Sequence, residues 1–118
     1  MEKKKKLTVL YKQINKTPKV IEIDDTLEAK QKLVKGLIEI IPYMDNLLLV
    51  CNEEGKICNM KANVIFQNDY IAGDFFIVGD DNQMDFRSLT KTEIKKAMID
   101  IDKRSVKYKE NELAQEIN

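Results

Sequence analysis

The residues that could do chemistry in this chain are defined first by what they lack. There is no histidine, which removes Ser–His and Cys–His nucleophile pairs and any His-ligated metal site. Acid–base work would have to rest on Asp, Glu, Lys, Tyr or Cys alone. Cys51 and Cys58 flank a polar stretch, yet two thiolates without further Cys or His make a poor zinc site. If Asn52 pairs with Lys56, Cys51 faces Ile57 and Cys58 points to the other side of the sheet; a four-residue loop would instead set the two cysteines opposite each other. Free cysteines are mostly buried and inert, and that is the expectation for both. The four glycines are isolated and match neither the phosphate loop nor the dinucleotide fingerprint. Asp80 to Asp85 imitates a calcium loop but lacks its central Gly and its closing Glu, which should fall where Lys91 stands. No catalytic residue, metal ligand or cofactor is expected.

Polar side chains on short connections between apolar strands are better candidates for contact. Asn52, Glu53, Lys56, Lys61 and Asn63 are expected around one polar pocket or contact surface. Turn chemistry alone also accounts for Asn52 and Gly55, and Asn63 can satisfy backbone groups. Lys35, Lys56 and Lys61 would gather around an anion if the turn packs near the end of the first helix.

Charge is balanced, with 20 basic and 20 acidic residues. Lys3 to Lys6 and Lys103, Arg104, Lys107 and Lys109 form basic ends, while Asp69, Asp74, Asp80, Asp81 and Asp85 lie together with no Lys or Arg among them. A nucleic-acid binder is expected to show a broader basic surface with stacking aromatics. Tyr11, Tyr43, Tyr70, Phe66 and Tyr108 are scattered, so the basic ends alone support that reading.

The elements that must position these residues follow from periodicity. Leu7, Val9 and Tyr11 alternate as a strand, and Val20 to Ile23 is a second after the turn Asn15-Lys16-Thr17-Pro18. Leu27 to Lys35 is a helix capped by Asp25 or Thr26, with Gly36 placed to end it in a left-handed conformation. Leu37 to Tyr43 is a strand that Pro42 marks as an edge or an end. Leu47 to Cys51 is apolar throughout and reads as a strand buried on both faces. Asn52 to Lys56 predicts a hairpin turn with a left-handed Gly55, and Lys56 to Asn59 the returning strand. Met60 to Asn68 is a short helical turn or an irregular crossover. Tyr70 to Val78 is a central strand, with Gly73 at a bulge or a close backbone approach. Gly79 to Gln83 is a polar loop. Thr90-Lys91-Thr92-Glu93 is a capping box opening an amphipathic helix to about Arg104.

A chain of 118 residues, 43% hydrophobic and 34% charged, supports one core without metal or disulfides. The expected class is α+β, a mostly antiparallel sheet with two helices packed on one face. Residues 1–6 would be a basic tail, 7–104 the single domain and 105–118 a charged extension. Two cysteines, no signal-like segment and no apolar run long enough for a membrane helix lead to a cytoplasmic expectation.

The middle of the chain also carries a resemblance. Glu22-Ile23-Asp24, Leu27-Glu28-Ala29, Gln31 to Val34, Gly36, Ile38-Glu39, Val50 to Lys56, Asn63, Ile71-Ala72-Gly73, and Asp85-Phe86 leading into Ser88-Leu89-Thr90 occur in that order. Over roughly residues 7 to 102 this resembles the domain-of-unknown-function family 3846 (DUF3846). The resemblance implies a protein of phages, plasmids and Gram-positive gut bacteria, and brings no catalytic mechanism. Where the family pattern has Pro followed by Asn-Arg, this chain reads Met60-Lys61-Ala62-Asn63-Val64. Of the family's Gly-Gly pair only the second is kept, as Gly36, with Lys35 in place of the first.

These features lead to an expectation of a non-enzymatic phage or mobile-element accessory that acts by binding. It would mask a host defence protein or sequester a small nucleotide-like ligand. The alternative is a nucleic-acid-associated factor using the basic termini. No membrane partner is expected, and a strand edge offers a route to a homo-oligomer.

Overall fold

Antiparallel pairing dominates the computed structural model, which describes residues 5–109. In chain order the elements are β1 (Lys6–Lys12), β2 (Lys19–Asp24), α1 (Leu27–Val34), β3 (Ile38–Pro42), β4 (Leu47–Asn52), β5 (Ala62–Phe66), β6 (Asp69–Ala72), β7 (Phe75–Asp80), β8 (Phe86–Arg87) and α2 (Lys91–Arg104). The main sheet runs β2-β1-β7-β4-β3, with β8 paired to β7, and β5 and β6 form a separate hairpin. Every strand pair is antiparallel, in keeping with the α+β class and with Pro42 on an edge strand.

The two helices, expected on one face, lie on opposite faces. Strand side chains alternate, and both sets are apolar in the central strands. Leu10, Leu49, Cys51, Phe75 and Ile77 pack on Ala97 and Ile101 of α2 and on Val64, Phe66 and Ile71 of the small hairpin. Leu7, Val9, Tyr11, Val50, Phe76 and Val78 pack on Leu33 and Val34 of α1. A sheet so apolar on both sides needs a cover on each, which one face of helices would not give. Burying such a side chain contributes roughly 1.5–3 kcal/mol.

Local signals hold where the chemistry is local. Thr90 accepts from the Glu93 N–H, Glu93 accepts from the Thr90 N–H, and the helix runs to Arg104. Thr26, rather than Asp25, caps α1 by accepting from Ala29, and Asp25 pairs with Lys30 at 2.6 Å. The left-handed residue ending α1 is Lys35 (φ 64°), not Gly36. Gly36 is small for another reason: a Cβ there would lie 2.6 Å from the Asn52 amide nitrogen.

The hairpin expected after β4 does not form. β4 is flanked by β3 and β7, so no edge is left for residues 56–59, which coil into successive turns. Gly55 is not left-handed; the turns close on Asn59 (φ 59°). A Cβ on Gly55 would meet the Ala72 carbonyl at 2.8 Å, so this glycine lets the turns pack against β6. The hairpin instead joins β5 to β6, through Gln67 and Asn68, both at positive φ, the geometry of a two-residue type I′ turn. Gly73 (φ 86°) then splits the expected single strand Tyr70 to Val78 into β6 and β7. β7 continues through Gly79 and Asp80, where a loop was expected.

Past α2 the chain stays packed as far as it is described. Ser105 bridges to Val64, the Val106 N–H donates to the Asn63 carbonyl, and the Tyr108 hydroxyl donates to the Ala62 carbonyl. Lys6, expected in a tail, begins β1 and pairs with Asp24. Lys3 and Lys4 of the expected basic tail, and residues 110–118 of the expected extension, lie outside the described residues. Among the described residues no helix is long and apolar enough to cross a membrane.

Candidate functional site

A cleft of about 300 Å³ opens where the ends of β3 and β4 meet the 53–57 turns and the β5–β6 hairpin. Glu39 and Ile41 enter it from β3 because they share the face of their register partners Cys51 and Leu49. Glu53, Lys56 and Ile57 come from the turns, and Asp69 and Tyr70 from the start of β6. Ile57 is 79% exposed and Tyr70 37%, so apolar surface stands open at the rim.

The charges are unequal. Three carboxylates, Glu39, Glu53 and Asp69, and one ammonium, Lys56, line the cleft. The Lys56 Nζ sits 2.6 Å from Asp69 Oδ2 and 4.6 Å from the centre of the Tyr70 ring. The hydrogen bond from Lys56, helped by the Tyr70 N–H, holds the Asp69 carboxyl below its ordinary range, and the same bond raises Lys56. Cys51 lies in the wall, its thiol pushed up to about 12 by burial and by the charge of Glu39. A thiol so held is a poor nucleophile at neutral pH.

Of the five residues expected in one site, the structure brings three to the cleft. Glu53 and Lys56 stand at its rim, whereas the side chain of Asn52 serves the fold. Its Nδ2 donates to the Val34 and Lys35 carbonyls and its Oδ1 accepts from Glu54 N–H, tying the end of α1 to the turn. Lys61 and Asn63 lie elsewhere. The Lys61 Nζ sits over the Tyr108 ring at 5.1 Å. The anion cluster of Lys35, Lys56 and Lys61 does not assemble either, since Lys35 pairs with Asp74 at 3.3 Å and Lys56 with Asp69. Cys58, expected buried, is exposed, and both cysteines are free.

Asn63 belongs to a buried polar cluster. It is the extra residue of a bulge in β5, and a bulge re-aims a side chain. Its Oδ1 accepts from Lys12 Nζ at 2.8 Å, and its Nδ2 donates to the carbonyls of Lys12 and Gly73. Lys12 is 1% exposed and its second acceptor is the Gln13 carbonyl. Burial, with the charge of Lys107, lowers Lys12 to about 8 against the opposing pull of Asp74 and Asp102. Asp74, also buried, accepts from the Ile14 N–H and lies 3.4 Å from the Tyr11 hydroxyl.

Glu39, Ile57, Asp69 and Tyr70 were not among the residues expected in the site. Asp69 and Tyr70 reach the cleft only through the Gln67-Asn68 turn, which carries no glycine to announce it. Lys12 was missed because alternation in β1 suggests one wet face. The unbroken run Val9-Leu10-Tyr11 was the available sign that both faces are dry.

Across the sheet from the cleft lies a shallower depression of about 440 Å³, bounded by Ile40, Leu48, Met84 and Phe86 with Lys30, Asp80 and Asp85. Lys30 spans it with its Nζ 4.5 Å from the Phe86 ring centre. Among the described residues no group of three or more Cys, Asp or Glu side chains is arranged to hold a metal ion.

The model of one family, Domain of unknown function (DUF3846), matches residues 6–101, and the chain belongs to that family. No curated protein and no solved structure matches it significantly.

Proposed function

We propose that this family member is a non-catalytic accessory protein of a phage or mobile element, acting by stoichiometric contact to mask a host protein, including one of host defence. The observation that carries this reading is the cleft between β3, the 53–57 turns and β6. It is open, it exposes Ile57 and Tyr70, and it sets three carboxylates against one ammonium. Exposed apolar groups rimmed by charge are what a protein partner covers. The groups around it favour contact over turnover, since the Cys51 thiol is held protonated and Lys56 is already paired.

A small nucleotide-like ligand fits the cleft less well, because its phosphates would meet Glu39, Glu53 and Asp69. The nucleic-acid reading draws on basic groups that are partly engaged: Arg104 pairs with Asp100 at 2.7 Å and Lys107 with Asp102 at 3.9 Å. The setting itself comes from the family resemblance.

The test is site-directed. A photo-crosslinker carried at Glu53 in host cells should trap a stoichiometric protein partner, and Ile57→Asp with Tyr70→Ala should abolish the adduct while leaving the melting transition unchanged. Tight nucleotide binding by calorimetry, steep salt-dependent binding to DNA or RNA, or product formation in a turnover screen would each overturn the reading.

A further inference from the structure

We propose that β3 is a docking edge for an extended segment of a partner protein in which cationic and apolar side chains alternate. This rests on the reading of the chain as a binding protein and names the chemistry of its partner.

Three observations converge on β3. It is the last strand of its sheet, and among the described residues no strand pairs with its outer side. Antiparallel pairs alternate between residues that exchange backbone bonds and residues that do not. The bonds Glu53 N–H to Leu37 O and Tyr43 N–H to Leu47 O bracket the strand. Odd-numbered residues therefore turn their amides to β4, and the amides of Ile38 and Ile40 point outward. Pro42, with no N–H, ends the outward row.

The second observation is that a depression lies on each side of this one strand. Glu39 and Ile41 face the acidic cleft, while Ile40 borders the apolar depression on the opposite face. A strand added to the edge continues the pleat, so its successive side chains fall to the two depressions in turn. Neither depression includes a residue of β2, the other edge.

Charge complementarity is the third. Glu39 and Glu53 form no ion pair among the described residues, and Lys56 is occupied by Asp69. A Lys or Arg in the added strand meets carboxylates on the cleft side. On the other side Ile40, Leu48, Met84 and Phe86 meet an apolar side chain, and Met84 is fully exposed. A second copy pairing edge to edge would bring its own Glu39 and Glu53 to the same region, so like charges disfavour that occupant.

The test titrates the full chain with capped nine-residue peptides by calorimetry. The probes are alternating valine and lysine, alternating valine and glutamate, the valine–lysine composition in non-alternating order, and the alternating valine–lysine peptide with every second amide N-methylated. The alternating valine–lysine peptide should bind at least tenfold more tightly than the other three. Glu39→Lys with Glu53→Lys should reverse the preference toward valine–glutamate, and Ile40→Pro, which removes an outward amide, should weaken binding at least tenfold. The N-methylated peptide tests the backbone pairing should Ile40→Pro fail to fold.

Equal binding of the non-alternating or N-methylated peptide, no binding of the alternating peptide, or self-association through β3 would each overturn the inference. A partner adduct at Glu53 that excess alternating peptide, added before irradiation, fails to suppress sinks the docking edge alone. Absence of any crosslinked partner sinks the binding reading beneath it.

Discussion

Replacing Lys12 by methionine removes an ammonium held almost wholly inside the protein by two neutral oxygens. Its pKa falls from an ordinary 10.5 to about 8, chiefly through burial. That difference corresponds to about 3 kcal/mol by which the charged form disfavours folding. Between pH 8 and 10.5 Lys12 binds more protons in the unfolded chain than in the native one, so its own contribution to stability rises with pH through that window. Below pH 8 the penalty is present in full. Relief by pH 10 amounts to about 2 kcal/mol. The raised pKa values of Cys51, Tyr11, Tyr43, Lys5, Lys6 and Lys56 act in the opposite sense, but wild type and variant share them. The assay is urea unfolding of both proteins at pH 7 and pH 10. The stability difference should move by about 2 kcal/mol in favour of wild type at the higher pH. An unchanged difference would refute the view that Lys12 is a desolvated ammonium, whatever the absolute stability of the variant.

The other expectations are simpler. Glu93, drawn down to about 2 first by the Arg87 hydrogen bond and then by the Thr90 amide, contributes stability above pH 4.5 that is lost as pH falls toward 2. Glu93→Gln should flatten this acid limb of a stability–pH curve by about 1–2 kcal/mol, allowing for solvent screening. Asn63→Ala leaves Lys12 Nζ and two buried carbonyls without their partner and should cost about 3 kcal/mol in chemical denaturation. Iodoacetamide should modify the exposed Cys58 in the native protein and spare Cys51 until it unfolds, giving a single added mass by mass spectrometry. Gly36→Ala should destabilise by about 1–3 kcal/mol, read by thermal melting, because the new methyl displaces the Asn52 amide.

How much of this was legible depends on the range of the interaction that decides each feature. The Thr90–Glu93 capping box needs four residues and nothing else, and it was readable. The Asn52-to-Gly55 turn signal was equally plain, yet the hairpin failed because β7, far along the chain, already occupies the second edge of β4. At the end of α1, glycine is the default left-handed residue, so Gly36 drew the assignment. Lys35 takes that conformation instead (φ 64°), and Gly36 is small because Asn52 approaches it. Asn63 was expected either at a polar contact surface with Lys61 or satisfying backbone groups, and it does the second, donating to the Lys12 and Gly73 carbonyls. One bulge in β5 turns it inward to Lys12, and no local pattern encodes which residue a bulge will expel. The cleft was half visible: Glu53 and Lys56 sit on a polar turn, but Glu39, Asp69 and Tyr70 arrive from two other elements whose meeting only the packed sheet decides.

Amide hydrogen exchange of the full chain, free and bound to the crosslinked host partner, tests most directly whether the molecule works by covering this corner of the sheet. Binding should slow exchange at Ile38 and Ile40, whose amides face outward in the free protein, and across residues 53–57 and 69–72. Protection confined instead to the basic stretch 103–109, with β3 and the turns unchanged, would contradict the account.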